Sequence, residues 1–313
     1  VQFHPTSLEN SNILISESAR GEGGYLLDEF ENRFIDELKP RDEVARAIYE
    51  KIEKNQKVYL DLRHLGIDKI KELMPQERRL AYDYSNIKIE EQLLPISPAS
   101  HYSMGGIKTD INARTNIRNL FACGECAEAS IHGANRLGGN SLLEIVTFGK
   151  IAGINASNDG KNIGELNTST NYAKEDEENI NNIYNYSTKI NFYTKKDDIG
   201  NLLFNNLGLF RNEKKISALI KTIEELNLDI KNMGIVDKSK TYNKNLVEFL
   251  EFRNILNVAL LASISALNRK ESRGSHFRLD YPSEMQKYEK NTIIKKVDDK
   301  IVVKFEEIVW KLI

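Results

Sequence analysis

The residues with the most chemistry in this 313-residue chain sit in short segments marked by glycine and proline. "HGANRLGGNSLLE", residues 132–144, sets His132 and Arg136 among glycines directly before an apolar helical run. A helix start offers unpaired N–H groups and a partial positive charge. Glycine lets backbone approach a ligand closely. The planar fork of Arg136 matches a carboxylate with two parallel hydrogen bonds. The stretch therefore looks built to hold something flat or anionic. Elsewhere, His4 lies in "QFHPT", Glu17 and Arg20 in "SESARGEGG", Arg41 in "PRD" and His101 in "HYSMGG". Loops of this kind carry chemistry more often than packing.

Each of these residues also has a plainer reading. His4 and His101 could be satisfied structural imidazoles, and Arg136 a surface arginine. Arg41 could cap the following helix through Asp42, although a cation is unfavourable at the positive helix end. His132 is expected to shape its loop, and His64 in "LRHLG" and His276 in "GSHFR" to be structural. Cys123 and Cys126 form a C-x-x-C pair in "CGEC". A redox dithiol is one reading. Zinc would need two further ligands, and no second cysteine pair exists. Small, partly buried side chains at a strand end are the preferred reading.

These residues need a scaffold of adequate size. The length suits about two domains. A net charge of −2 and 40% apolar residues give no sign of nucleic-acid or membrane-surface binding. No uninterrupted apolar run reaches the roughly 18 residues of a membrane span, and no signal peptide is visible. The opening "VQFHPT" reads as the middle of a longer protein.

Residues 10–100 alternate short strands and helices. "NILISES" reads as a strand and "GYLLDEFENRFI" as a hairpin-like pair. "RDEVARAIYEKIEK" carries Val44, Ala45, Ile48 and Ile52 at helical spacing after Pro40. "KVYLDLRHLG" is a strand, "DKIKELMPQERRLAYDY" two helices broken at Pro75, and "LLPISPAS" an extended connection. "IKTDINARTNIRNLFACGE" predicts strand, turn and strand. The helix "SLLEIVTFGKIAG" is apolar on most sides and is expected to be buried. Residues 156–190 are polar and read as a solvated linker with one frayed helix. Residues 195–270 predict a three-helix antiparallel unit. "TIIKKVDDKIVVKFEEIVW" predicts a hairpin turning at Asp298–Asp299.

Six segments, in this order, resemble one family: "QFHPT", "RGEGG", "PRDEVARA", "HYSMGG", "GECAEASIHGANRLGGNSLLE" and "RKESRGSH". They are similar to the flavoprotein subunit of succinate dehydrogenase and fumarate reductase, with L-aspartate oxidase a close relative. The resemblance covers nearly the whole chain and is weakest over 156–240. It implies an α+β fold. Residues 1–9 would end an FAD-binding domain, 10–100 form a capping domain, and 101–160 return to the FAD-binding domain. A helical domain would follow over 161–275 and a short β tail over 276–313.

The resemblance also implies roles. FAD is the cofactor, although the family's G-x-G-x-x-G half is absent from this sequence. A chain lacking it is expected to hold FAD weakly, to self-associate and to be inactive alone. Arg41 would deliver the proton to substrate carbon, with Glu17 and Arg20 as its relay. This makes sense only with such a relay, because an arginine pKa lies above about 12. His4, His101, Arg136 and Ser16, where the family commonly has threonine, would bind the dicarboxylate, succinate or fumarate. Glu125 would bind ribityl or ribose hydroxyls, and Asn140, Ser141 and Leu142 the flavin ring edge. "RKESRGSH" would tie the helical unit to the body by ion pairs. The implied partners are an iron–sulfur subunit and membrane anchor subunits linked to quinone, with no membrane span in this chain. The implied location is the cytoplasmic face of the membrane, or else the soluble cytoplasm. The rival readings are L-aspartate oxidase and a non-catalytic module that docks an iron–sulfur subunit.

Overall fold

The structure, a computed structural model, describes residues 1–161, 171–298 and 300–308. Two compact units follow one another, Val1–Ile154 and Asn155–Ile313.

The first unit opens with β1 (Gln2–Leu8), the short helix α1 (Ser18–Gly21), β2 (Tyr25–Asp28) and α2 (Arg41–Glu53). Then come β3 (Val58–Asp61), α3 (Ile67–Leu73), α4 (Pro75–Ser85) and β4 (Leu94–Tyr102). These strands form one sheet in the order β1-β4-β3-β2. Asp42 and Glu43 fill the first turn of α2, where negative charge suits the dipole, and Val44, Ala45 and Ile48 face the core. Pro75 starts α4 as expected, because its missing N–H costs nothing at that position. The core gathers Leu8, Ile15, Leu26, Leu60, Ile70, Met74 and Leu94.

Prolines make "LLPISPAS" look like a connection, yet it is a nine-residue strand. The ladder accommodates them. β3 pairs at Leu94 and Pro95, β1 pairs further along, and the β1–β4 register shifts between His4 and Ser7, beside Pro98. Proline has no N–H to give the ladder there. A bulge of this kind re-aims side chains, and His4 lies at its edge. "NILISES" is not a strand. Only Leu14 bridges back to Ser7, and the segment is held as a turn by Leu8 N–H to Ile13 O at 2.8 Å and Ile15 N–H to Thr6 O at 2.9 Å. The expected pair in "GYLLDEFENRFI" reduces to β2 and one bridge, Leu27–Arg33.

β5 (Ile107–Lys108) and β6 (Ala127–Glu128) form a two-stranded parallel pair, and an Arg114–Phe121 bridge closes the turn between them. Helix α5 (Asn140–Gly160) corrects an expectation. It is not buried by its apolar residues: Leu142, Leu143 and Val146 are 65–66% exposed. Glu144 and Ala152 face inward instead. The Glu144 carboxylate accepts two hydrogen bonds inside the unit, which turns the polar side in and the apolar side out.

The second unit contains α6 (Asn171–Tyr184), α7 (Phe192–Leu207), α8 (Glu213–Leu228) and α9 (Lys244–Asn268), then β7 (Lys290–Val297) and β8 (Lys300–Glu307). Asn191, Asn212 and Asn243 each cap a helix by accepting a backbone N–H. By length and composition, α9 is the described helix that is long and apolar enough for a membrane span. Uninterrupted runs alone do not show this. Its buried residues Phe249, Phe252, Leu256, Ala259, Ser263 and Ala266 make a stripe at 3–4 residue spacing. That stripe packs into the core with Phe192, Ile199, Leu219 and Ile223. β7 and β8 pair from Lys290–Glu307 to Val297–Lys300. The hairpin forms as expected; Asp298 has φ 46°, and Asp299 lies outside the described residues.

Candidate active site

The site is built in the first unit where the start of β1, α1, the start of α2, the end of β4 and the loop before α5 meet. Arg41 is the first residue of α2, and its side chain leaves the helix start rather than capping it. Its Nε donates to Glu17 Oε2 at 2.9 Å, its Nη2 binds the same oxygen, and its Nη1 reaches Gln2 Oε1 at 3.3 Å. Arg20 Nη2 lies 3.5 Å from Glu17 Oε1, and its Nη1 donates to the Glu37 carbonyl. Glu17 thus bridges two guanidiniums. Burial disfavours its charge, but the Arg41 hydrogen bond and the charges of Arg41 and Arg20 hold its carboxyl below the ordinary range. Gly138 lies against this pair: a Cβ there would come 3.1 Å from Arg41 Nη2 and 3.2 Å from Glu17 Oε2.

Arg136 is 5% exposed. Its Nη1 donates to Leu137 O at 3.0 Å, its Nη2 meets His101 Nε2 at 3.2 Å, and its guanidinium lies 4.3 Å from the Tyr102 ring centroid. Its buried Nε has no partner. His101 and His4 meet edge to face at 5.4 Å. His4 Nε2 faces Ile15 O at 2.8 Å, while Nδ1 is buried without a partner. Burial, then the charges of Arg41, His101 and Arg20, push His4 down to about 4, despite the bond to Ile15. Burial and the charges of Arg136 and Arg41 lower His101 as well.

Two residues that sequence reading passed over join the halves of the site. Gln2 Nε2 donates to Asn135 Oδ1 and to Arg136 O, both at 2.6 Å, and Asn135 Nδ2 donates to Asp42 Oδ1 at 2.6 Å. The signal for Gln2 was its i, i+2 relation to His4 on one strand. Below Arg136, Tyr102 donates to Glu144 Oε2 at 2.8 Å, and His132 Nε2 lies 2.7 Å from the same oxygen. An acid inside an otherwise apolar helix was the available signal for Glu144.

Other candidates are placed less centrally. Ser16 is exposed, and its hydroxyl accepts from Ser18 N–H at 3.2 Å and Ser18 Oγ at 2.8 Å, so it serves the start of α1. Glu125 is exposed; one of its oxygens accepts from Ser103 N–H at 2.8 Å. Asn140, Ser141 and Leu142 open α5, with Leu142 outward. Cys123 and Cys126 are free thiols, and Cys126 Sγ lies 3.4 Å from Cys123 O. Among the described residues no group of three or more His, Cys, Asp or Glu is placed to hold a metal. His64 stacks on Tyr25 at 4.2 Å and bonds Gly23 O at 2.9 Å. In the second unit, His276 sits between Arg211 and the Arg269 carbonyl.

Comparison with known proteins agrees with this architecture. The chain is 36% identical over 308 residues to the fumarate reductase flavoprotein subunit of Escherichia coli, covering 90% of this chain and 51% of that protein. It is 38% identical to the 8-methylmenaquinol:fumarate reductase flavoprotein subunit of Wolinella succinogenes, covering 90% and 49%. The chain spans about half the length of the curated relatives it matches. A chain of E. coli quinol fumarate reductase superposes with a TM-score of 0.93 at 33% identity, covering 100% of this chain and 59% of that one. A Mycobacterium smegmatis Sdh1 chain gives 0.81 at 29%, covering 98% and 55%. Residues 1–142 match the FAD binding domain family and residues 196–313 the fumarate reductase flavoprotein C-terminal family. The chain is thus similar, over nearly all of its length, to flavoprotein subunits of fumarate reductase and succinate dehydrogenase, and its cofactor is FAD.

Proposed function

We propose that this chain forms the substrate side of a flavoenzyme that interconverts succinate and fumarate. The charge balance of the site carries this reading. Arg20, Arg41 and Arg136 bring three positive charges, Glu17 brings one negative charge, and His4 and His101 are mostly neutral at pH 7. The three guanidiniums outnumber Glu17, the carboxylate bound directly to two of them, while Glu125 and Glu144 lie further out on Ser103 and Tyr102; this local excess of positive charge suits a small dianion with two carboxylates. Arg136, with its partnerless Nε, and His101 would hold one carboxylate, and His4 and Ser16 the other. Fixing both ends orients the carbon–carbon bond and draws charge from it.

The residues present also fit FAD. The exposed Glu125 carboxylate can accept from hydroxyls, and the start of α5 offers a positive dipole beside the outward Leu142. When bound, FAD supplies or accepts a hydride at its N5 atom. Arg41 gives a proton to the neighbouring substrate carbon, and Glu17 and Arg20 return one to Arg41. In the oxidative direction the same relay takes the proton away. The domain reading of 10–100 as a cap and 101–160 as flavin-binding belongs to this proposal. So do electron transfer to quinone through an iron–sulfur subunit and membrane anchors, and a peripheral place on the cytoplasmic face.

The FAD-loaded holoenzyme should oxidise succinate with an artificial electron acceptor and reduce fumarate with a reduced dye. Oxygen-dependent conversion of aspartate to iminoaspartate, with no succinate turnover, would replace this reading with L-aspartate oxidase. Absence of both turnovers with retained iron–sulfur subunit binding would make the chain a docking module.

A further inference from the structure

Arg136 has five N–H donors, and its two protein hydrogen bonds hold the edge of its plane, so the face needs a separate support. That support is the Tyr102 ring, 4.3 Å from the guanidinium carbon. The ring is itself fixed. Its hydroxyl donates to Glu144 Oε2 at 2.8 Å, and the His132 ring meets it edge to face at 5.5 Å. Glu144 is 2% exposed, and its Oε2 also pairs with His132 Nε2 at 2.7 Å. A buried carboxylate is costly unless paired and hydrogen-bonded. This one is retained in a helix whose neighbouring side chains, Leu143 and Ile145, point outward.

We propose that Tyr102 and Glu144 are positioning residues for Arg136: Glu144 anchors the Tyr102 hydroxyl, and the ring holds the guanidinium plane for the substrate carboxylate. The hydroxyl–carboxylate bond also makes the ring more electron-rich, which strengthens its hold on a cation. His132 completes the anchor rather than touching substrate. The proposal rests on the dicarboxylate reading of Arg136 and adds how that residue is aimed.

The test is a double-mutant cycle on the FAD-loaded holoenzyme, reading the Kd for malonate by calorimetry and FAD content by absorbance. Tyr102→Phe keeps the ring and removes the anchor, and Glu144→Gln keeps an acceptor and removes the charge. Each should weaken malonate binding about three- to tenfold with FAD retained, part of the charge-assisted hydrogen bonding that a mis-aimed Arg136 gives up. Combined, they should weaken it no more than either alone. In an Arg136→Lys background, Tyr102→Phe should have no further effect. Equal losses with Arg136 intact and in the Arg136→Lys background, or no loss in either, would overturn the proposal. If Arg136→Lys itself leaves the Kd unchanged, the substrate reading of Arg136 fails first and takes the proposal with it. If Glu144→Gln does not load FAD, Tyr102→Phe alone decides through the same cycle.

Discussion

Arg136 in the first unit and Arg278 in the second are both buried, and they are used differently. Arg278 is fully buried and satisfied. Its Nε and Nη2 bind the two oxygens of Asp280 at 2.7 and 2.8 Å, and its Nη1 binds Ala266 O at 2.9 Å and Leu267 O at 3.2 Å. Arg269 and Arg273 likewise share Glu271 and bond the chain around Tyr288 and Met285. These are the charges of "RKESRGSH", and they tie the end of α9 to the tail. In the first unit, Arg136 and Arg20 each bury an Nε with no partner, His4 and His132 each bury an Nδ1 with none, and, away from the site, Glu90 buries an Oε2. A buried donor without a partner costs about 1–3 kcal/mol. Several such atoms gathered at one site point to a ligand that relieves the cost. The satisfied cluster is structural, and the unsatisfied one is the candidate site.

The largest effect should come from Arg41→Gln in the FAD-loaded holoenzyme. Glutamine cannot pass on a proton from Glu17 and Arg20, and loss of general acid catalysis costs about 10²–10⁴ in rate. The kcat should fall by that factor while the malonate Kd stays nearly constant, the mark of an interaction made only in the transition state. A raised Kd with fast single-turnover hydride transfer would make Arg41 a binding residue. His101 would then be the next acid to test.

Arg278→Met should act on stability alone. It strands Asp280 and two carbonyls, at a cost of about 3 kcal/mol, the low end for a broken buried pair because Asp280 is partly solvated. Thermal melting should drop by several degrees, while kcat per bound FAD holds. A kcat loss at unchanged melting temperature would erase the contrast between the two clusters.

Arg136→Lys should show the reverse pattern. Lysine is a point charge and loses the fork. A charged hydrogen bond is worth about 1.5–3 kcal/mol, or about ten- to a hundredfold in affinity. The malonate Kd should rise by that factor with FAD retained, and an unchanged Kd would show that Arg136 does not touch substrate.

These contrasts were only partly legible in the sequence. The α2 helix, the break at Pro75 and the final hairpin follow local rules, so periodicity and proline chemistry found them. β4 did not, because its prolines are tolerated only through a split pairing with β3 and β1 that no local rule announces. Composition made α5 look buried, but Glu144 decides its orientation through Tyr102 and His132, distant in sequence. Site residues with distinctive chemistry, Arg41, Glu17, Arg20, Arg136, His4 and His101, stood out by type and motif. Gln2, Asn135 and Tyr102 did not, because their importance lies in whom they join.

The smallest expected effect compares two glycines. At Gly138 a Cβ would lie 3.1 Å from Arg41 Nη2 and 3.2 Å from Glu17 Oε2, both far ends of flexible side chains. The fold can yield there by a few tenths of an ångström, but the atoms that yield are the proposed proton relay. Gly138→Ala should therefore leave melting nearly unchanged and lower kcat several-fold, about 1 kcal/mol, since a small misplacement of a catalytic group is felt in rate. At Gly234 a Cβ would meet the Tyr186 carbonyl oxygen at 2.4 Å, and backbone must move. Gly234 N–H also donates to Ser187 O at 2.6 Å, so the same segment resists that movement. Gly234→Ala should cost about 1–3 kcal/mol of stability, the usual range for overpacking, with kcat per bound FAD unchanged. If Gly138→Ala lowered melting as much as Gly234→Ala and spared kcat, Arg41 and Glu17 would be a structural pair like Arg278 and Asp280.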